Sequence, residues 1–86
     1  MSQERLRETL AELRHELGRT DAADDEARER VQAAARELDA WLERAEPPED
    51  SLAERLREAV VRFEEDHPRL SATLQRVVDA LADLGI

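Results

Sequence analysis

The chain has 86 residues, of which 41% are charged and 41% hydrophobic, with two Gly, three Pro and no Cys. Such a length makes one small domain, 1–86, and such a composition belongs to long amphipathic helices. The formal net charge is −9 and all thirteen basic residues are Arg; this argues against a basic patch for nucleic acid or anionic membrane, while the missing Cys excludes disulfides, thiolate nucleophiles and Cys-ligated zinc.

The first helix is expected over 2–17. Leu6, Leu10, Leu13 and Leu17 repeat at 4-3-4 spacing on one narrow face. Ser2 suits its N-cap, and Gly18 suits the left-handed position that ends a helix. Glu4, Glu8, Glu12 and Glu16 form a stripe that reads as a solvated face. Arg5 with Glu8, Glu4 with Arg7 and Glu16 with Arg19 offset part of its like-charge repulsion.

The second helix is expected over 22–45, with Thr20, Asp21 or Asp24 as cap. Acids at its start complement the helix dipole. Its stripe is Ala27, Val31, Ala34, Leu38, Trp41, Leu42 and Ala45, small first and large later, so a neighbour can approach closely at the Ala end. Residues 21–50 hold eleven acids and four Arg, which is −7 of the total −9.

Pro47-Pro48 closes that helix. Ser51-Leu52-Ala53-Glu54 matches a capping box and opens a third helix over 51–66. Pro68 opens a fourth over 68–84, since Pro is favoured at the first helical position. Gly85 is the expected C′ residue. The apolar register crosses Pro68 unbroken, from Leu52, Leu56, Val60 and Phe63 through His67 to Leu70, Leu74, Val77, Leu81 and Leu84. Pro within a helix costs about 3 kcal/mol. A break with His67 as a one-residue joint is therefore favoured over one long kinked helix.

The segment 61–86 carries a family resemblance. It contains Phe63-Glu64-Glu65-Asp66-His67-Pro68 and ends Leu84-Gly85-Ile86. With the Leu-rich first helix and acidic second helix, it resembles a family of small bacterial proteins of unknown function (domain of unknown function, number 4404). The resemblance implies a stand-alone all-helical protein and brings no activity or site residues.

Two constellations invite chemistry. Glu12-x-x-His15 and Glu64-x-x-His67 lie on the first and third helices, and di-iron four-helix bundles use paired Glu-x-x-His motifs. Bundle ligands must project inward. At about 100° per residue, Glu12 and His15 point away from the Leu face, and Glu64 lies well off the core direction. Only His67 leans inward. Asp50-Ser51-Leu52 resembles the attachment context of acyl carrier proteins, but the match is three residues long and the cap accounts for Ser51.

The reading is an all-α, antiparallel four-helix bundle of two helical hairpins with heptad-like packing. No catalytic, metal or cofactor residue is assigned. His67, Pro68, Phe63 and Trp41 are the candidate helix-joint or interface residues. The expected role is a non-enzymatic helical interaction or self-assembly module in the cytoplasm, as a homodimer, with no nucleic acid and no membrane. One alternative is a metal-binding or enzymatic bundle built on the Glu-x-x-His motifs. Another is an acidic nucleic-acid mimic that occupies a basic protein.

Overall fold

A computed structural model describes residues 2–19 and 25–85 and, at Ser2, the backbone alone. The expected caps at Ser2, Thr20, Asp21 and Asp24 lie outside what is described. Four helices make up the fold: α1 (Ser2–Arg19), α2 (Asp25–Arg44), α3 (Leu52–Phe63) and α4 (Pro68–Asp83). The all-α bundle read from the sequence is the fold adopted.

Each helix packs against its sequence neighbours, and α4 closes the ring onto α1. Side-chain pairs fix the directions. Arg5 meets Asp83 and Glu12 meets Arg76, so numbers rise along α1 as they fall along α4. Arg14 with Asp39 sets α1 beside α2, and Glu37 with Arg55 sets α2 beside α3. Ser71 Oγ donates to the Val60 carbonyl at 2.7 Å and ties α4 to α3.

The Leu stripes close on one another within one chain. Leu6, Leu10, Leu13, Leu38, Leu52, Leu56, Phe63, Leu70, Leu74, Val77 and Leu81 are all almost fully buried. Burying a side chain of that size is worth about 1.5–3 kcal/mol. α4 is the central helix, packed heavily on both α3 and α1. It buries the row Leu70, Leu74, Val77 and Leu81 and a flank on each side of it, Ser71 with Val78 and Thr73 with Ala80. The slightest pairing is α1 with α2. The close approach expected at the Ala end of α2 is not made by α1. Small side chains there leave a groove instead.

Several local expectations are corrected. Gly18 does not end α1, which continues through Arg19, and Gly85 is the one Gly with positive φ among the described residues. A cation in the last turn suits the dipole, and Arg19 lies 3.9 Å from Glu16. Ala45 is exposed rather than part of the core stripe. It stands at φ 55, and its N–H donates to the Trp41 carbonyl at 2.9 Å. That is the αL termination, made here without Gly, and Pro47 biases Glu46, the residue before it, to extended backbone.

Ser51 holds the N-cap place of α3 but makes no capping bond. Its backbone is already near-helical, at φ −80 and ψ −2. The Leu52 N–H donates to the Glu49 carbonyl at 3.0 Å, so a turn enters the helix where the capping box was expected. An N-cap side chain reaches the first-turn N–H groups from extended backbone, which Ser51 lacks.

α3 and α4 are separate helices, as the cost of Pro68 favours. The joint is longer than one residue: α3 ends at Phe63, and Glu64, Glu65 and Asp66 form a turn before His67. Gly85 at φ 84 follows α4 and donates to the Ala82 carbonyl, the termination expected of it.

Candidate functional site

His67 is the N-cap residue of α4, half-buried, with φ −137 and ψ 70. Its side chain makes no capping bond. The backbone works instead: its N–H donates to the Phe63 carbonyl at 2.8 Å, and its carbonyl accepts from Ser71 N–H at 3.0 Å. The imidazole meets the Phe63 ring edge-on, with centroids 5.8 Å apart. Phe63 is buried and Pro68 exposed at the first helical position. These three residues form one joint. Trp41 is remote from it in sequence and half-buried against the core near the end of α2.

The two Glu-x-x-His motifs approach the same end of the bundle without converging. His15 is exposed in a groove between α1 and α4 that Glu12, Glu16, Arg69 and Arg76 also line. Glu12 is bonded to Arg76, so it joins a seam and does not belong to a wholly solvated stripe. His67 lines a neighbouring groove with Glu16, Asp66 and Arg69. Among the described residues no group of three or more His, Asp or Glu is placed to hold a metal ion.

The acids of α2 do not form an unbroken anionic face. Asp25, Glu29, Arg36 and Glu43 fall within about 40° of one another on the helical wheel. Arg36 is exposed on that line and interrupts it. Of the four Arg in residues 21–50, the helix places this one in the acidic row itself.

The surface feature that the periodicity did not single out is Val61. It is 71% exposed, alone among the large hydrophobic residues described. It flanks a groove of about 360 Å³ between α2 and α3, lined also by Ala27, Ala59, Arg30, Arg55, Arg62 and Glu58. Ala27 and Ala59 are buried at its base. The groove's charges are largely matched. Arg30 is bonded to Glu26 at 2.9 Å and Arg55 to Glu37 at 2.6 Å. Val61 follows Val60 in the sequence, and an apolar residue one step off the stripe was the available signal.

No helix among the described residues is long and apolar enough to cross a membrane. A family model described as a domain of unknown function (DUF4404) matches residues 6–86. No curated protein and no solved structure matches the chain significantly.

Proposed function

We propose that this chain, which belongs to the DUF4404 family, is a non-enzymatic helical module for protein–protein association, with the α2–α3 groove as its contact surface. The observation that carries the reading is Val61, fully apolar and 71% exposed, where the other large hydrophobic side chains among the described residues are buried or partly buried. An isolated exposed Val is ordinary, but here it adjoins a groove based on two Ala, where a partner backbone has room to approach. Charge-matched walls make the surface suitable for a partner helix with an apolar stripe, including one from a second copy. The reading expects work in the cytoplasm, and homodimerisation is its simplest form. A basic partner held by the acidic outer surface is a second contact of the same class.

Sedimentation velocity over a range of concentrations tests it. The wild-type chain should show concentration-dependent association, or retain a co-purifying protein on affinity capture. Val61→Glu places a carboxylate beside the groove and should weaken that contact by about tenfold or more, at unchanged helicity. Association that is identical in both proteins would overturn the assignment of this groove.

A further inference from the structure

We propose that the groove between α1 and α2 is a binding site for small multivalent oxyanions. It is lined by Arg14, Arg28, Arg36 and Gln32, with Leu17, Gly18 and Ala35, and its volume is about 330 Å³. That size is at the lower end for small-ligand pockets. Among the described residues no carboxylate lines it.

This makes it unlike the other seams. On the α1–α4 side Arg76 is bonded to Glu12, and Arg69 shares its grooves with Glu16 and Asp66. On the α2–α3 side Arg30 and Arg55 each hold a Glu. In the α1–α2 groove only Arg14 has an acid, Asp39. Arg28 and Arg36 have none among the described residues, so two guanidinium groups without a described acid share one concave surface. Arg28 is half-buried, and its Nε is closed off from solvent with no acceptor. Arg55 Nε is in the same position, but a terminal nitrogen of that guanidinium is bonded to Glu37. Arg28 has no such bond to a described acid.

A guanidinium offers a planar fork of donors that matches carboxylate and phosphate oxygens. Two such forks and the Gln32 amide, facing one groove, suit an anion with several oxygens. The net charge of −9 does not cancel this locally. Charges more than about 8 Å from the bound anion are largely screened at physiological ionic strength. The slight α1–α2 packing gives the groove its opening, and the small Ala35 keeps its base accessible to a ligand. The site is separate from the α2–α3 groove and stands independently of the association reading.

Titration of the full ¹⁵N-labelled chain with inorganic pyrophosphate, and separately with citrate, tests the site by NMR. The Gly18 amide and the Gln32 side-chain amide should shift saturably, while the α2–α3 groove around Val61 stays still. Saturation by either anion supports the site, and the tighter of the two tells whether phosphate or carboxylate oxygens are preferred. The double variant Arg28→Gln/Arg36→Gln should bind at least about tenfold more weakly, for two lost charge-assisted contacts. Arg44→Gln/Arg57→Gln removes the same charge from exposed positions outside the groove and should bind within about twofold of the wild type. Arg36→Gln alone, at an exposed position, weakens binding without touching the half-buried Arg28. Shifts that never saturate, shifts spread over the whole molecule, or equal losses in both double variants would overturn the proposal.

Discussion

Ala45 and Ser51 flank the Pro47-Pro48 loop, and each departs from the residue its position ordinarily prefers. Ala45 pays for left-handed backbone, at φ 55, that Gly adopts freely. Ala45→Gly should therefore raise unfolding free energy by about 1 kcal/mol, with the gain reduced by the greater freedom of Gly in the unfolded chain. Ser51 has the opposite lesson. A capping Ser is worth about 1 kcal/mol, but this Ser makes no such bond. Ser51→Ala should change stability by less than about 0.5 kcal/mol in chemical denaturation. A loss near the full capping value would mean that the side chain does cap in solution.

The buried hydroxyl residues behave differently because their environment is tertiary. Ser71 was legible as a residue near a helix start. Its burial and its bond to the Val60 carbonyl were not, because both depend on α3 lying alongside. Thr9 and Thr73 are buried too, each donating to the carbonyl four residues earlier, at 2.6 and 2.9 Å. Such back-bonding satisfies a hydroxyl inside an otherwise apolar face. A hydropathy stripe passes over these positions because their polar atoms are paired only in the folded helix.

Among the elements, α4 stands apart. A single 4-3 stripe predicts one buried row, but α4 also buries a flank on each side of it, since it packs on both α1 and α3. Leu74 is completely buried at its middle. Leu74→Ala should cost about 2–5 kcal/mol, the range for large-to-small changes in a packed core, read as a lowered midpoint with an unchanged denaturant slope. Truncating the exposed Val61 to Ala offers the control, with a change below about 0.5 kcal/mol. The break at Pro68 also belongs here. Proline explains why two helices meet, while the length of the joint follows from α3 ending at Phe63, three residues before the expected helix end at 66.

At the scale of the whole molecule, Arg5, Glu12, Arg14 and Arg55 pair between helices rather than along them. Arg5 reaches Asp83 at 2.6 Å, not Glu8, and Glu12 reaches Arg76. These pairs are about half-exposed, so each is worth little in water and is screened by salt. A double-mutant cycle on Glu12 and Arg76 should give a coupling of about 0.2–1 kcal/mol at low salt that shrinks at high salt. A coupling that is large and indifferent to salt would contradict the exposed geometry. The pairs act mainly on register, since each matches a position on one helix to a position on its antiparallel neighbour.

Periodicity, proline and composition were sufficient for the four helices, their order and most of the core, because these depend on each residue's own preference and on spacing of three and four. The family likeness carried by the segment 61–86 was legible for the same reason, as a pattern in one dimension. What only the tertiary structure decided is how the helices face one another. It made α4 central, left α1 and α2 slightly packed, turned Arg5 and Glu12 toward α4, and left Val61 beside an open groove. It also gathered Arg14, Arg28 and Arg36 along one seam, where among the described residues only Arg14 has an acid, Asp39. A helical wheel gives a direction for each side chain but not the identity of the neighbour in that direction. That identity is settled by packing the four apolar faces together, and the charges on the rims take the partners that packing brings within reach.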